Sequence, residues 1–377
     1  MTDTQPAAAS PGLFDPLVQR GVTLRNRIGV SPMCQYCCGP DGRPTEWHLQ
    51  HLLSRALGGA GLVFTEAAAV TAEGRITPRD LGLWEEAQLA GHTRLAEGIA
   101  RLGSVPGIQL SHAGRKGSRN PPWVHGPATV NHWQPLGPST VPFETYLEPR
   151  AMSEAEIGET IEAFATAAKR SVLAGYRVIE LHAAHGYLLH QFLSPLSNTR
   201  NDGWGGDFAG RTRLVREAAA AVRAAIPADV PLWVRVSHTD WVEGGWTTED
   251  TVALCQALET LGVDAIDTSS GGLSAKQQIP VGPGYQVPGA EAVKRNTGLQ
   301  VAAVGMITEP AQAQAIIAEG RADLVLLARA VLRDPYWPVH AAQALGHEAS
   351  TAIPPQYERG WGALPMRDET AVPMPAL

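Results

Sequence analysis

One stretch decides the fold of this chain: Val178-Ile-Glu180-Leu-His182-Ala-Ala-His185-Gly-Tyr187. Its first half belongs to the apolar run Tyr176–Leu181, which predicts a buried β-strand. Two imidazoles and a phenol follow, where that strand should end. Two imidazoles aimed at one point can hold a carbonyl oxygen and stabilise negative charge on it, and a phenol can supply a proton. Alone, the segment is also compatible with a surface loop carrying incidental histidines.

The whole chain contains eight such apolar runs, which alternate with amphipathic helical stretches. Most runs are continuous and rich in β-branched or aliphatic residues, as is typical of parallel strands buried on both faces. Ser153–Glu156 forms a capping box that predicts the start of one helix. Eight βα units predict an α/β protein with a (β/α)8 TIM-barrel fold. The runs are Ile28–Met33, Gly61–Val70, Gly107–Ser111, Arg177–His182, Leu232–Ser237, Asp264–Ser269, Val301–Ile307 and Asp323–Ala328.

Polar residues stand near the ends of these runs, where a barrel of this type places its chemistry. Gly305 and Arg329 follow the seventh and eighth runs, a common phosphate site in such barrels. Arg329 could instead pair with Asp323 or Asp334. A flavin is one ligand that would suit the set, with Arg235 and Gln109 at its pyrimidine edge. The strand-end groups are Cys34, Glu66-Ala67, Gln109 with His112, His182 with His185, Arg235, Thr268–Gly272, Gly305 and Arg329.

Composition narrows the class of protein. The 377 residues carry a formal net charge of −7 and are 44% hydrophobic, so the basic footprint expected of a nucleic-acid or anionic-membrane partner is missing. No apolar run is long enough to span a bilayer, and residues 1–12 resemble a disordered tail rather than a signal peptide. We expect one barrel over residues 13–347, with a capping insertion at about 115–152 and a C-terminal segment at 348–377.

Four cysteines are too few and too clustered for a disulfide framework, so a cytoplasmic location is expected. Cys34 and Cys37 fit C-x-x-C, and His48 with His51 follow. A zinc site, a redox dithiol and a single useful thiol at Cys34 are the alternatives. The spacing falls short of zinc fingers, so the single thiol is favoured and no metal is expected. The chain contains neither a Rossmann fingerprint nor a P-loop.

Together these segments resemble the old yellow enzymes, FMN-dependent ene-reductases, and within them the bacterial subgroup called thermophilic-like. The resemblance runs from about Leu13 to Trp361. Cys37-Cys38, the stretch Pro121–Arg150 and the sixteen residues after Trp361 depart from the family pattern. The segments that carry the resemblance are Asn26–Ile28, Ser31–Tyr36, Gly74–Ile76, Gln109–Lys116, His182–Tyr187, Phe192–Pro195, Asn198–Arg200, Val234–Ser237, Val304–Ile307, Gly320–Asp323 and Gln356–Trp361.

The resemblance implies a role for each site residue. His182 and His185 would bind the substrate carbonyl oxygen, Tyr187 would donate a proton, and Tyr36 would be a second phenol in the pocket. Cys34 would lie near the flavin N5 and tune its potential. Arg359 would reach a neighbouring subunit's active site, with Trp361 beside it, in a homodimer or homotetramer. The residues implied to hold non-covalent FMN are Ser31, Pro32, Met33, Cys34, Ala67, Gln109, Arg235, Gly305, Ala328 and Arg329.

The implied activity is that of an NADPH dehydrogenase, an ene-reductase with ping-pong kinetics. NADPH or NADH would reduce FMN, and an α,β-unsaturated carbonyl or nitro compound would then take up the hydride. A metal-dependent hydrolase using Glu180, His182 and His185 as ligands is a rival interpretation, but strand 1 offers it only Cys34. A flavin reductase of RNA would need a basic face. A non-catalytic flavin binder would not need His182, His185 and Tyr187.

Overall fold

Eight parallel strands close into a barrel in the computed structural model, which describes residues 10–125, 132–347 and 353–360. The barrel strands are β3 (Ile28–Val30), β4 (Leu62–Ala69), β5 (Val105–Ser111), β8 (Val178–Ala183), β9 (Leu232–Ser237), β10 (Ala265–Ser269), β11 (Gln300–Ala303) and β12 (Leu324–Leu327). Their order around the closed barrel is β10-β11-β12-β3-β4-β5-β8-β9. All eight predicted strands are present, so the predicted (β/α)8 TIM barrel is confirmed.

Helices surround the barrel, and the helix predicted to begin at Ser153–Glu156 is present. Ser153 Oγ accepts a hydrogen bond from the Glu156 amide, while the Glu156 carboxylate accepts one from the Ser153 amide, so the predicted capping box is formed. Pro310 occupies the first turn of its helix. The helices are α1 (Glu46–Leu57), α2 (Leu89–Arg101), α3 (Glu154–Leu173), α4 (Leu188–Leu193), α5 (Phe208–Ala225), α6 (Thr248–Thr260), α7 (Val287–Asn296), α8 (Pro310–Ala318), α9 (Arg329–Arg333) and α10 (Trp337–Ala344).

A short antiparallel hairpin, β1 (Leu17–Gln19) and β2 (Val22–Leu24), lies at the N-terminal end of the barrel. Its apolar residues pack with Phe64, Trp233 and other side chains inside the barrel. The Trp233 indole donates a 2.8 Å hydrogen bond to Gln19 of the hairpin. A larger core lies between the strands and the helices. Because the hairpin packs against this end, the opposite mouth is the one open to ligands.

Several local expectations need correction. The strands expected to run to Met33 and Ile307 end at Val30 and Ala303, since the chain turns at the barrel mouth, where Gly305 has φ +122°. The insertion contains a two-stranded parallel sheet, β6 (Leu136–Gly137) and β7 (Arg150–Ala151).

None of the described helices is long and apolar enough to cross a bilayer.

The C-terminal segment also differs from expectation. In the sequence, Tyr357, Arg359 and Trp361 alternate, and an extended segment would present all three on one face, but Pro355–Gly360 form a 3-10 helix. A 3-10 helix places alternate residues on different sides, so Tyr357 and Arg359 do not share one face. Residues 1–9, 126–131, 348–352 and 361–377, which include Trp361 and most of the expected N-terminal tail, lie outside the described residues.

Candidate active site

One cavity of about 570 Å³ opens at the C-terminal mouth of the barrel, within the range of small-molecule sites. His185 and Tyr187 come from the β8–α4 loop, and Ser269 comes from the end of β10. Gly305 follows β11, and Ala328 follows β12. All five line the cavity, as does Arg329. Residues of both assigned groups therefore lie around a single space: His185 and Tyr187 from the substrate group, and Gly305, Ala328 and Arg329 from the phosphate group.

The two histidines lie edge to face, with ring centroids 5.1 Å apart. His182 is on β8 itself, with its Nδ1 buried and without a hydrogen-bond partner. His185 has left the strand, and its φ of +58° is rare for a residue with a side chain. The Nε2 of His185 lies 2.7 Å from Ser269 Oγ, which leaves Nδ1 as the ring nitrogen that can serve a ligand. Such strained, unpartnered groups are typical of functional sites.

Burial keeps both imidazoles neutral. It lowers the pKa of His182 and of His185 well below the ordinary value, and the nearby positive charge of Arg235 lowers both further. A neutral imidazole has one N–H donor and one acceptor nitrogen. Each ring can therefore donate one hydrogen bond to a ligand oxygen and remain uncharged at neutral pH.

The phenol of Tyr187 contacts His182, and a second phenol and a thiol lie near Tyr187. The Tyr187 ring centroid is 4.9 Å from that of His182. Burial raises the pKa of Tyr187 and of Tyr36 above the ordinary phenol value, so both retain their protons at neutral pH. Cys34 is half-buried and bonds to the Tyr36 hydroxyl; burial, and next the charge of Glu66, raise the pKa of its thiol. Cys34 is therefore a neutral thiol and a poor nucleophile.

Buried charges lie inside the barrel beside the histidines. Arg235 Nε is 2.9 Å from Asp267 Oδ2, with both side chains almost fully buried. Gln109 Nε2 donates a 2.8 Å hydrogen bond to Glu180 Oε1. Burial raises the pKa of Glu180 well above its ordinary value. Gln109 and Arg235 thus have partners on neighbouring strands, which fix the orientation of both side chains.

The other end of the cavity suits a phosphate. Arg329 begins α9 after Ala328 and is exposed. Asp323 pairs with Lys294, and Asp334 pairs with His340, so neither is the partner of Arg329. A side chain at Gly305 would collide with Gln286. This end of the cavity has an accessible cation and a bare backbone, and His185 lies at the other end. The combination fits a phosphorylated flavin such as FMN.

Ser31, Pro32 and Met33 follow β3 on the way to Cys34, and Ser31 donates from its backbone to Leu327 at 2.9 Å. Ala67 on β4 is paired in register with Gln109. Arg359 is exposed in the C-terminal 3-10 helix.

The vicinal cysteines Cys37 and Cys38 belong to a cluster around His48. Cys37 Sγ and Cys38 Sγ lie 3.6 and 3.7 Å from His48 Nε2, and that nitrogen is 3.0 Å from Glu66 Oε1. The amide of Thr45 donates to the other ring nitrogen of His48 at 2.9 Å. Within the described ranges, no group of three or more His, Cys, Asp or Glu side chains is arranged to hold a metal ion.

Among the cavity residues to which the sequence analysis assigned no role are Lys116 and Gln286. Lys116 is largely buried, yet it lines the cavity. Gln286 accepts a 2.7 Å hydrogen bond from Ser270 and donates a 3.1 Å bond to the Val304 carbonyl. The only sequence signal for Lys116 is its place beside Arg115, which makes two consecutive cations just after a strand end. Gln286 lies far from any strand end in the sequence, so no sequence signal points to it.

The sequence of this chain matches a known protein family and several of its members. A family model described as the NADH:flavin oxidoreductase / NADH oxidase family matches residues 12–348. An NADPH dehydrogenase of Geobacillus sp. (strain WCH70) is 46% identical over 351 residues, which cover 93% of this chain and 98% of that protein. An NADPH dehydrogenase of Bacillus subtilis (strain 168) is 43% identical, with coverage of 93% and 99%.

Solved structures share the architecture. A 2-naphthoyl-CoA reductase in complex with 2-naphthoyl-CoA superposes with a TM-score of 0.80 at 26% identity. That match covers 91% of this chain but only 53% of the reductase chain. Morphinone reductase superposes with a TM-score of 0.76 at 24% identity, covering 90% and 91% of the two chains, and supports the fold alone.

Proposed function

The chain belongs to the NADH:flavin oxidoreductase / NADH oxidase family, the old yellow enzymes, and on that premise we propose that it is an ene-reductase. It is an oxidoreductase that uses FMN and a nicotinamide hydride donor. The proposed substrates are α,β-unsaturated ketones, aldehydes, imides and nitroalkenes. The proposed order is ping-pong: the oxidised nicotinamide leaves before the substrate enters the same cavity.

One observation carries the proposal: a single cavity holds both the phosphate end and the histidine end. An activating oxygen placed between His182 and His185 would meet one N–H from each ring. FMN, when bound, supplies the hydride chemistry. The protein contributes the orientation of the substrate and the stabilisation of the negative charge that develops on the oxygen.

Tyr187 is the proposed proton donor. Its hydroxyl is protonated at neutral pH because burial raises its pKa, and its ring packs edge to face on His182 at 4.9 Å. A phenol held beside the oxygen-binding imidazole can protonate the α-carbon when hydride arrives at the β-carbon. Tyr36, which bonds to Cys34, forms a second phenolic wall on the same side.

The proposed active unit is a homodimer or homotetramer in which Arg359 enters the neighbouring cavity, with Trp361 at the same contact. The exposure of Arg359 on its own subunit supports this proposal. We also propose that residues 348–377 form the subunit contact and that residues 13–347 act as one barrel unit. Four free thiols, as found for all four cysteines, suit a reducing cytoplasm.

The experiment is steady-state kinetics with NADPH and 2-cyclohexenone under anaerobic conditions. A ping-pong enzyme gives parallel double-reciprocal lines when NADPH is varied at several fixed enone concentrations. Intersecting lines would contradict the shared cavity and require both substrates to bind together. No reduction of any enone, maleimide or nitroalkene by FMN-loaded protein would contradict the proposed substrate class.

A further inference from the structure

Lys116 ends a short 3-10 helix, Gly114–Lys116, that follows β5. Its side chain runs into the protein, and its Nζ donates a 2.8 Å hydrogen bond to the His185 carbonyl. The same nitrogen donates to the Gly272 carbonyl on the loop after β10. One ammonium group thus joins three loops at the mouth of the barrel, and it does so through main-chain oxygens that belong to the two cavity walls.

The two loops that Lys116 joins are already in direct contact. A side-chain carbon at Gly272 would come within 2.6 Å of the His185 Cα, and one at Gly186 would come within 2.3 Å of the Gly272 carbonyl. Both glycines have positive φ, which side chains rarely adopt. Two buried carbonyl oxygens turned toward one point in this crowded contact need a hydrogen-bond donor, because a buried polar group without a partner is costly. The Lys116 ammonium group donates to both.

The backbone of His185 is held from both sides. Its amide donates a 2.9 Å hydrogen bond to Ser237 Oγ, and that hydroxyl donates a 2.8 Å bond to the Gly271 carbonyl. Its carbonyl accepts from Lys116. Since His185 has a φ of +58°, these bonds offset the cost of an unfavourable backbone conformation. The direction of the imidazole depends on that backbone.

Lys116 also connects the capping insertion to the site. Its Nζ lies 4.1 Å from the ring centre of Phe143, a residue of the insertion, and 5.7 Å from that of Tyr187. The adjacent Arg115 donates to the Val141 carbonyl at 3.1 Å and to the Leu273 carbonyl at 2.7 Å. Cation–π contact and carbonyl bonds therefore fix the insertion against the same two loops.

We propose that Lys116 is a positioning residue: its ammonium group clamps the carbonyls of His185 and Gly272 together and so holds the His185 imidazole in position for the substrate oxygen. The inference rests on the proposed oxygen-binding role of His185 and deepens it. Without the clamp, the two carbonyls lose their donor, the loops separate, and His185 relaxes from its strained backbone. Affinity for the oxygen-bearing ligand falls, while the phosphate end of the cavity is untouched.

The clamp has a pH dependence of its own. Burial, and next the charge of Arg115, lower the pKa of Lys116 to about 7. Charged donors make hydrogen bonds roughly twice as strong as neutral ones, so the clamp weakens as pH rises through that value. The imidazoles titrate far below this pH and the phenol of Tyr187 far above it. The titratable or charged groups around Lys116 are Arg115, Arg119, Glu144, His182, His185 and Tyr187.

The experiment compares Lys116→Met and Lys116→Arg with wild type, and uses Lys169→Met as a control at an exposed lysine on α3. Oxidised FMN-loaded enzyme is titrated with 2-cyclohexenone without NADPH, so no turnover occurs, and binding is followed by the flavin absorbance. We expect Lys116→Met to lose about tenfold or more in affinity, the effect of removing a hydrogen bond from a charged donor. FMN content and melting temperature should stay close to those of the control.

The pH profile separates positioning from general loosening. Wild-type affinity should fall as pH rises through about 7. Lys116→Arg, which stays charged, should bind well and lose the inflection; Lys116→Met should bind weakly at every pH. Gly272→Ala, which pushes on the His185 backbone from the opposite loop, should weaken cyclohexenone binding with Lys116 intact.

The outcomes distinguish the clamp from the function on which it rests. If wild type binds both FMN and cyclohexenone, but Lys116→Met binds cyclohexenone equally well or keeps the inflection, the clamp is refuted and the function stands. If wild type holds FMN but does not bind cyclohexenone, the proposed function is refuted first. If Lys116→Met does not fold, unchanged cyclohexenone affinity in Gly272→Ala would still refute the clamp.

Discussion

Replacing His182 by alanine should remove one of two hydrogen bonds to the substrate oxygen and leave the flavin in place. The His182 side chain is almost fully buried, and its Nδ1 has no protein partner, so its loss breaks no hydrogen bond within the protein at that atom. Loss of one donor of this kind costs about 2.7–4 kcal/mol, or about 10²–10³ in turnover. We expect that fall in kcat for cyclohexenone reduction.

His185→Ala should cost a similar amount, and the double variant should cost less than the product of the two, because both rings act on one oxygen. The assay is stopped-flow reoxidation of reduced enzyme by cyclohexenone, which isolates this half-reaction from reduction by NADPH. His125→Ala, at an exposed position of the insertion, is the control. Wild-type reoxidation rate and phenol affinity in either single variant would refute the oxygen-binding role.

Cys34→Ala should shift the flavin reduction potential and change one half-reaction rate without unfolding the protein, since the Cys34 thiol is protonated. Cys255→Ala, which removes a buried thiol on α6, is the control. A covalent adduct between Cys34 and the flavin during turnover would contradict the role of Cys34 as a neighbour that tunes the potential. Asp240→Asn should destabilise the fold by about 1.5–3 kcal/mol, because the fully buried Asp240 carboxylate lies 2.9 Å from His190 Nε2 and accepts hydrogen bonds from Ser194 Oγ and the Trp246 amide. Burial alone would raise the pKa of Asp240, but His190, Ser194 and the Trp246 amide hold that pKa below its ordinary value. The contribution of Asp240 to the free energy of unfolding should therefore be lost as pH falls below about 4. Free energies of unfolding measured in urea should converge for wild type and variant at that pH. Mixing Arg359→Ala chains with His182→Ala chains after subunit exchange should give activity above either parent; full activity of a strictly monomeric protein would contradict shared sites.

The barrel was predictable because its strands are buried on both faces. Runs such as Leu232–Ser237 are continuous and apolar, so they can be recognised without knowledge of their neighbours. The β1–β2 hairpin was missed, since its three-residue strands carry too little pattern. The 3-10 helix at Pro355–Gly360 was missed because alternation of Tyr357, Arg359 and Trp361 is equally compatible with an extended segment.

The site was predictable only in part. His182, His185 and Tyr187 lie in one short segment at a strand end, where fold and chemistry coincide. The residues assigned to phosphate, Gly305 and Arg329, line the same cavity. Pairings between strands, such as Arg235 with Asp267, were not readable, because residues distant in sequence meet there only after folding. Lys116 was missed for the same reason: its partners are carbonyls of two other loops.

The central claim is that one cavity binds FMN, takes hydride from a nicotinamide and passes it to an activated alkene. The direct measurement is the absorbance of the purified protein in an anaerobic cuvette, with the cofactor afterwards released by heat and identified by chromatography. We predict one FMN per chain, bleached by NADPH and restored to its oxidised spectrum by 2-cyclohexenone. FAD or no flavin, or a spectrum that no enone, maleimide or nitroalkene restores after bleaching, would contradict the account.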